Sequence, residues 1–354
     1  MTNNRRFIDH PILQLTRARL REFLREPEAV FWVFCFPILM IVALGLAFRS
    51  ESTETITVDV VEGPNIEKLE KALSEDERFR VQVNSVDDSH QRLRTGKTEL
   101  VVSPQTGSES VTYQYEYDPT RPGSVLARNL VDDVLQRAAG RQDVAETEDV
   151  EISEPGSRYI DFLVPGLIGM GLMGGGIWAV GFAVVDMRIR KLLKRFIATP
   201  MKRHHFLAGL MLSRLAFMIP EVIVIVVFSR LAFDVECRGS YLTLGVLVFL
   251  GAIEFTGIGL LIASRAKTLE AASGLMNLVM VPMWIGSGIF FSSERFPEML
   301  QPVIRVLPLT PLIGSIRQVM LEGTELTGLG PELAIMLGWC AFSFGLALKF
   351  FRWT

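Results

Sequence analysis

The sequence predicts an integral membrane protein whose membrane part is all-α, with six transmembrane helices, and which carries a small α/β domain inserted between the first two. Of its 354 residues, 49% are apolar and 21% are charged, and the mean hydropathy is +0.32. Six apolar stretches approach or exceed the roughly 20 residues that a helix needs to cross a bilayer. The charge is segregated: residues 50–157 contain 23 acidic and 11 basic residues, a net charge of −12, so the rest carries +9, given the total of −3. This pattern indicates a water-exposed acidic domain set into a protein whose other parts face an anionic lipid surface.

Residues 1–29 are predicted to form an amphipathic helix on the cytoplasmic membrane surface. Apolar residues recur at helical spacing within residues 8–26, and the opposite face is basic. Such a helix binds in the interface, with its arginines near acidic headgroups of membrane lipid, although an ordinary solvated helix fits the same pattern. The arginines concerned are Arg17, Arg19, Arg21 and Arg25.

The first apolar run is predicted to be an uncleaved transmembrane helix within residues 30–49. It extends from Val30 to Phe48 without a charged residue, which is too long for the apolar core of a secretory signal peptide. Pro37 is expected to kink it.

Residues 50–157 are predicted to form an extracytoplasmic α/β domain. Stretches rich in alternating apolar residues predict strands at Ile56–Val61, Phe79–Val83, Glu99–Val102 and Val111–Tyr117. Helical patterns lie between and after them, at Ile66–Leu73, Asp88–Thr95 and Ser124–Ala139. None of the three cysteines (Cys35, Cys237, Cys340) falls in this domain, so neither a disulfide framework nor a metal site is expected.

Residues 158–354 are predicted to supply the other five spans. They are expected at Tyr159–Val185, Phe206–Phe233, Tyr241–Ala263, Ala271–Phe291 and Pro331–Phe350. The loop at residues 186–205 contains seven lysines and arginines, and Arg265 and Lys267 follow the fourth span. Because basic loops stay on the cytoplasmic side, this predicts a multi-pass protein of the inner or plasma membrane with both termini in the cytoplasm.

Residues 292–330 are interrupted by four prolines and are too broken to span the membrane. Short or re-entrant helices at the outer face are expected there, which is tolerated where irregular backbone is buried in protein. We call this stretch the broken segment.

Polar residues within the spans are candidates for a transport pathway or for a proton or cation site. They are Arg214, Glu221, Glu254 and Asn277. Ionisable residues at mid-bilayer are costly and mostly functional, but an intramembrane ion pair or a carboxyl group held protonated would explain them equally. Arg214 precedes Glu221 by seven residues, which puts both on nearly the same helix face. Asn277 suits a hydrogen bond between helices better than a substrate contact.

Two glycines of the second span, Gly171 and Gly175, form a small-xxx-small pair. Such pairs let helix backbones approach closely, and a mobile hinge is the alternative.

No catalytic constellation is present in the sequence. Gly96-Lys97-Thr98 mimics the end of a phosphate-binding loop, but Gln91 stands where that motif requires its first glycine. His204 and His205 diverge by about 100° on a helix and cannot easily share a metal. The basic stretches adjoin spans and the inserted domain is acidic, so nucleic-acid binding is not expected.

Two clusters of motifs resemble the type-2 ABC transporter permease family, in its variant with a large domain between spans 1 and 2. The first follows the second span: Leu192-Leu193-Lys194-Arg195, then Ala198-Thr199-Pro200 and Leu207-Ala208-Gly209. The second follows the fifth span: Gly288-Ile289-Phe290-Phe291, then Phe296-Pro297, Leu307-Pro308-Leu309-Thr310-Pro311 and Arg317. The resemblance covers the whole layout of six spans.

The resemblance implies a transport subunit that is not itself an enzyme and holds no cofactor. A separate cytoplasmic ATPase subunit would bind ATP and Mg, and a second permease chain would complete a homodimer or heterodimer. The basic loop would be the coupling helix that docks on the ATPase through Leu192, Leu193, Arg195, Phe196, Thr199 and Pro200, because its apolar positions suit a groove on a partner. In the outer re-entrant segment the family pattern falls on Gly288, Pro297, Pro308, Thr310 and Arg317.

The function expected is export of a small amphipathic, drug-like or lipid-like substrate. The alternative is a membrane-anchored sensor or scaffold whose outer domain binds a ligand or an envelope partner.

Overall fold

The chain forms two compact units, one of which interrupts the other. A computed structural model describes residues 11–48, 55–63, 66–106, 111–142, 156, 158–198 and 203–350. Residues Ser50–Ile152 make up the inserted unit, and Met1–Arg49 with Ser153–Thr354 make up the membrane unit. Six helices of the membrane unit are long and apolar enough to cross a bilayer, which confirms the predicted fold class.

Helix α1, Pro11–Leu24, packs along the third span. The Thr16 hydroxyl donates to the carbonyl oxygen of Gly209, and the rings of Phe23 and Phe217 lie 4.2 Å apart. Arg17 and Arg21 are exposed on the other side. The apolar face seen in the sequence therefore contacts protein.

Span 1, Pro27–Ala47, carries one wide turn at Phe31–Cys35. The Phe36 amide donates to the carbonyl oxygen of Phe31, five residues back. The irregularity lies just before Pro37, which has no amide hydrogen to continue the helical ladder.

The inserted unit is a four-stranded mixed sheet of order β2-β1-β3-β4 with three helices. Its strands are β1 Ile56–Val61, β2 Phe79–Asn84, β3 Leu100–Thr106 and β4 Val111–Glu116. Its helices are α2 Ile66–Ser74, α3 Val86–Arg94 and α4 Pro122–Ala138. Strand β1 pairs in parallel with β2 and β3, and β4 runs antiparallel to β3. All four predicted strands and all three predicted helices are present.

Helix α3 begins two residues before the predicted start because Ser85 caps it. The Ser85 side chain accepts a hydrogen bond from the Asp88 amide, which satisfies an otherwise unpaired donor of the first turn. Its Arg92 pairs with the buried Asp59 of β1 at 2.8 Å.

Span 2 is the longest candidate span, Tyr159–Ile189, and contains a wide turn at Gly175–Ala179. Its start is fixed by Asp161, whose carboxylate accepts hydrogen bonds from the Arg158 amide at 3.3 Å and from the Arg158 Nε at 3.0 Å, while the Asp161 amide donates to the Arg158 carbonyl oxygen at 3.0 Å. It ends at a turn where Lys191 has a φ of 59°, and the short helix α5, Leu192–Ile197, follows.

Spans 3 and 4 complete the centre of the membrane unit. The helix of span 3 covers Arg203–Phe233 and that of span 4 covers Tyr241–Arg265. Span 4 is the most buried of the six and packs against spans 2 and 6.

Span 5, Leu269–Gly286, ends five residues before the predicted boundary at Phe291. The helix stops because Gly288 has a φ of +80°, a conformation that other residues rarely adopt. The chain from residue 287 to 291 therefore turns back.

The broken segment is helical in pieces. Short turns at Ser293–Arg295 and Glu298–Leu300 lead into α6, Gln301–Val306, and α7, Leu309–Arg317, continues through a wide turn at Gln318–Glu322. The helical stretch Glu298–Val306 and the following stretch Leu309–Glu322 are bent by 87° relative to each other. A turn at Leu326–Leu329 precedes the span 6 helix, Gly330–Phe350.

Candidate transport machinery in the membrane unit

Helix α5 exposes two basic side chains and buries Leu193, its second residue. Leu193 is 1% exposed and belongs to the core of the membrane unit, whereas Lys194 and Arg195 are exposed. Leu192 is partly buried against the same core. Among the described side chains of this helix, the exposed ones are therefore basic, and neither leucine is exposed.

Three of the residues predicted for the coupling helix lie wholly or partly outside the described residues. Thr199 and Pro200 fall outside the described residues, as does the side chain of Phe196. Only two residues separate the end of span 2 from the start of helix α5.

Arg188 links the end of span 2 to the end of span 4. Its Nη1 donates to the carbonyl oxygens of Ala263 and Ala266, at 2.6 and 2.8 Å. These carbonyls belong to the last turn of span 4, where helix geometry leaves acceptors without an intrahelical partner. Arg188 thereby joins the segment before α5 to the end of span 4.

Arg214 and Glu221 form a buried ion pair. The Arg214 Nη2 and Glu221 Oε2 atoms lie 3.3 Å apart, and the two side chains are 5% and 4% exposed. Arg214 also donates to the carbonyl oxygen of Gly171 at 3.3 Å. Two of the pathway candidates thus bond one another, and both side chains are buried in this chain.

The glycine pair of span 2 makes room for this ion pair. A Cβ added at Gly171 would overlap Glu221 Oε1, and one added at Gly175 would overlap the Arg214 guanidinium group. The structure thus brings together four residues that the sequence singled out separately.

Glu254, unlike Glu221, is a buried acid with no paired cation among the described residues. It is 0% exposed, and neither carboxyl oxygen has a hydrogen-bond partner among the described residues. It lies near the middle of span 4.

Asn277 lies on the exposed face of span 5. Its neighbours on that face include Leu278, Val281 and Ile285, which are 70%, 42% and 53% exposed. An amide group on an apolar membrane helix needs a hydrogen-bond partner, since lipid tails supply none. Asn277 is therefore placed where it could bond a neighbouring helix.

Arg317 holds the broken segment against spans 2 and 5. Its Nη2 donates to the carbonyl oxygens of Phe162 and Gly288, at 3.2 and 2.9 Å. The guanidinium carbon lies 3.7 Å from the centroid of the Phe162 ring, within the range of a cation–π contact.

The other residues named in the broken segment shape its turns. The Thr310 hydroxyl bonds the Ser287 hydroxyl at 3.0 Å, Pro297 accepts from the Leu300 amide at 2.9 Å, and Pro308 opens α7. A Cβ added at Gly166 of span 2 would lie 2.5 Å from the Ile289 carbonyl oxygen. The turn after span 5 is therefore packed directly on span 2.

Sequence patterns did not reveal Gly166 or the specific role of Arg188. Arg188 was counted only as one positive charge among seven, because charge counts set topology but carry no information about partners. Gly166 stands in a glycine-rich span in which no spacing distinguishes it.

An open groove of about 420 Å³ lies on the inserted unit. It is lined by His90, Leu93, Arg94, Glu116, Tyr117, Asp118 and Arg121. The Thr120 hydroxyl and amide bond Asp118 and hold the pKa of that carboxyl below its usual value. Among the described residues there is no group of three or more His, Cys, Asp or Glu that could hold a metal ion.

Six apolar helices, a broken segment folded onto them and a basic helix on a loop define a membrane protein of the transport permease class. The family model described as "ABC-2 family transporter protein" matches residues 28–349. The chain belongs to this family of integral membrane transport proteins, and the resemblance seen in its motifs is confirmed.

Curated relatives are transport permeases at low identity. The putative transport permease YvfS of Bacillus subtilis (strain 168) is 25% identical over 138 residues, 39% of this chain and 56% of the relative. The linearmycin resistance permease protein LnrN of the same organism is 24% identical over 216 residues, 61% and 54% of the two chains. The inner membrane transport permease YadH of Escherichia coli (strain K12) is 24% identical over 162 residues, which are 46% of this chain and 63% of the relative. The matched region thus spans somewhat more than half of each of these relatives.

Proposed function

We propose that this chain is the permease subunit of an ATP-driven exporter, working with a separate cytoplasmic ATPase that binds ATP and Mg. The observation that carries the proposal is helix α5. Lys194 and Arg195 are exposed on it, while Leu193 fixes it to the membrane core and Arg188 ties the preceding turn to span 4. A basic surface of this kind suits an acidic groove on a partner, and Arg188 connects the residues before it to the end of span 4.

The same contacts support the direction of insertion in this proposal. Arg188 joins the ends of spans 2 and 4, and Arg190, Lys191, Arg265 and Lys267 lie close to these ends. Basic residues on one side of the spans favour a cytoplasmic location for that side, with both termini inside and the inserted unit outside.

A second permease chain completes the pathway in this proposal. Asn277 and the exposed apolar face around it are the proposed contact surface for that second chain. Small amphipathic, drug-like or lipid-like molecules are the proposed substrates, in keeping with the resistance permease named among the relatives.

The proposal is tested by purifying the detergent-solubilised chain from its native membrane and assaying ATPase activity in the eluate. A nucleotide-binding subunit is expected to co-purify with the wild type and to be lost with Arg195→Glu. Lys267→Glu is the matched control, because Lys267 is exposed at the neighbouring turn after span 4. If no ATPase co-purifies with the wild-type chain, the proposal of an ATP-driven exporter is wrong.

The second candidate function is a membrane-anchored sensor or scaffold, and the groove of the inserted unit favours it. A sensor uses that groove and needs no ATPase. Arg94→Glu together with Arg121→Glu would then abolish function, whereas Arg195→Glu would leave it intact.

A further inference from the structure

Glu254 is a fully buried acid near the middle of the most buried span. Both of its carboxyl oxygens are inaccessible, and neither has a hydrogen-bond partner among the described residues. The other buried glutamate of the spans, Glu221, is paired with Arg214. Two glutamates in the same bundle therefore have opposite environments.

The charged groups of the helices around span 4 are bonded elsewhere. Arg214 of span 3 bonds Glu221 and Gly171, Arg188 of span 2 bonds carbonyl oxygens at the end of span 4, and Arg317 of α7 bonds those of Phe162 and Gly288. Asp161 at the start of span 2 is held by Arg158, and Glu332 of span 6 accepts from Gln318. Span 6 adds one titratable group close enough to interact electrostatically with Glu254, the Cys340 thiol.

A carboxylate in this position would be a bare negative charge inside the membrane. An ionised carboxyl buried without a counter-ion or hydrogen bonds is strongly unfavourable, and such a group takes up a proton instead. The neutral acid fits the site, because it has no charge to solvate.

Close packing of span 6 on span 4 keeps water away from this acid. Gly257 lies three residues after Glu254 and therefore on the same side of the helix. A Cβ added at Gly257 would overlap Ser343 Oγ and would lie 2.8 Å from Cε2 of Phe344. Side chains of span 6 thus cover the backbone of span 4 directly, and separation of the two spans would open this side of Glu254 to water.

We propose that Glu254 is a proton-binding site within the membrane. It holds one proton while spans 4 and 6 are packed together, and it exchanges that proton with water only when they move apart. The ligand is the proton alone, and the site is independent of the identity of the transported molecule or of the ATPase.

The test is infrared spectroscopy of the full chain reconstituted in lipid at neutral pH. The C=O stretching band of a protonated carboxylic acid should be present in the wild type and absent from Glu254→Gln, whose side chain has the same shape as the neutral acid. Glu270→Gln is the control, because Glu270 is exposed at the start of span 5 and its removal should leave the band unchanged.

Transfer into heavy water then measures how fast the proton of Glu254 exchanges with deuterium from the solvent. The band of Glu254 should shift only slowly in the wild type and faster in Gly257→Ala, where the added methyl group forces span 6 away. Absence of a band that depends on Glu254 overturns the proposal, and so does a band that exchanges at once in the wild type.

A second measurement uses the wild-type chain, so it does not depend on whether the Glu254→Gln variant folds. A hydrophobic carbodiimide reacts with protonated carboxyl groups in apolar surroundings, and mass spectrometry locates the adduct in the wild-type chain. Labelling is expected at Glu254 and not at Glu221, whose carboxyl group lies 3.3 Å from the Arg214 guanidinium group. The reverse pattern would overturn the proposal. Neither measurement needs the ATPase, so the proton site and the exporter reading fail or stand separately.

Discussion

Gly175 of span 2 lies directly against the guanidinium group of Arg214 in span 3, so closely that a Cβ at residue 175 would overlap it. Four residues earlier, Gly171 stands in the same relation to Glu221 and also accepts a hydrogen bond from Arg214. Helix positions four residues apart share one face, so the two missing side chains form one continuous recess. The recess holds a buried ion pair whose own residues are seven apart.

Gly175→Ala should therefore displace Arg214 and break the pair. Disrupting a buried ion pair destabilises proteins by about 3–5 kcal/mol, so a large drop in the unfolding temperature is expected. Gly174→Ala is the matched control: nothing lies within 4 Å of a Cβ added there, and alanine is favoured over glycine in a helix by about 1 kcal/mol. Thermal unfolding of the purified variants in detergent measures both. Equal effects at 174 and 175 would contradict the role assigned to the recess.

The ion pair itself is predicted to be structural. Glu221→Ala leaves Arg214 buried and unpaired and should destabilise the chain by about 3–5 kcal/mol. Replacing both residues by apolar ones, Arg214→Met with Glu221→Leu, should restore most of that stability, because the double change removes both charges.

Substrate export by the double variant decides between structure and pathway. Transport near the wild-type level at equal expression is expected if the pair only holds spans 2 and 3 together. Abolished transport by a stable double variant would mean that these charges contact the substrate.

Sequence patterns predicted most of the fold, because hydropathy and charge are properties of single segments. The six spans and the sheet follow from runs of apolar residues and from alternation, which need no knowledge of partners. The boundary of span 5 was set too late, at Phe291, because residues 287–291 are as apolar as the helix before them and only the φ of Gly288 ends it.

The candidate sites were less accessible to sequence reasoning, because they depend on contacts between helices. The sequence indicated that Arg214 and Glu221 share a face, but it could not show that the glycines of span 2 enclose them. It also grouped Leu193 with the partner-facing residues of α5, whereas its side chain is packed in the core of its own chain. Spacing on a short helix shows which residues share a face, and it does not show what covers that face.

Leu193 and Arg195 should therefore respond differently to substitution. Leu193→Asp puts a charge into the core and should lower the unfolding temperature strongly, since truncating a buried leucine alone costs about 2–5 kcal/mol. Arg195→Glu changes an exposed side chain and should leave stability within about 0.5 kcal/mol while abolishing capture of the ATPase.

Thermal unfolding and co-purification, measured on the same samples, separate the two effects. Leu193→Met is the conservative control and should cost less than about 1.5 kcal/mol. A Leu193→Asp chain as stable as the wild type would contradict the burial of this residue.

The face of span 5 around Asn277 is predicted to meet the same face of a second permease chain. Hydrogen bonds between membrane helices contribute about 0.6 kcal/mol on average, so Asn277→Leu should weaken the dimer only slightly. Cross-linking is the sharper measurement. Asn277→Cys, in a chain whose cysteines Cys35, Cys237 and Cys340 have been replaced, should form a disulfide-linked dimer in native membranes if the chain is a homodimer.

The control is Ile223→Cys, because Ile223 is 55% exposed on span 3 and is not part of that face. A disulfide requires Cα atoms within about 7 Å, so chance collisions at a lipid-facing residue should give little product. Equal cross-linking at both positions would contradict an interface centred on Asn277.

Arg317 is predicted to keep the broken segment in place on spans 2 and 5. Arg317→Lys keeps the charge but loses the planar donor group that bonds the Phe162 and Gly288 carbonyls and stacks on the Phe162 ring. Hydrogen–deuterium exchange of peptides covering residues 288–317 should become faster, while exchange in the middle of span 4 stays unchanged. Arg305→Lys is the matched control, because Arg305 is exposed on the same segment. If Arg317→Lys and Arg305→Lys exchange alike, the two carbonyl contacts do not hold the segment, and its position must depend instead on the close packing of the Ile289 backbone against Gly166.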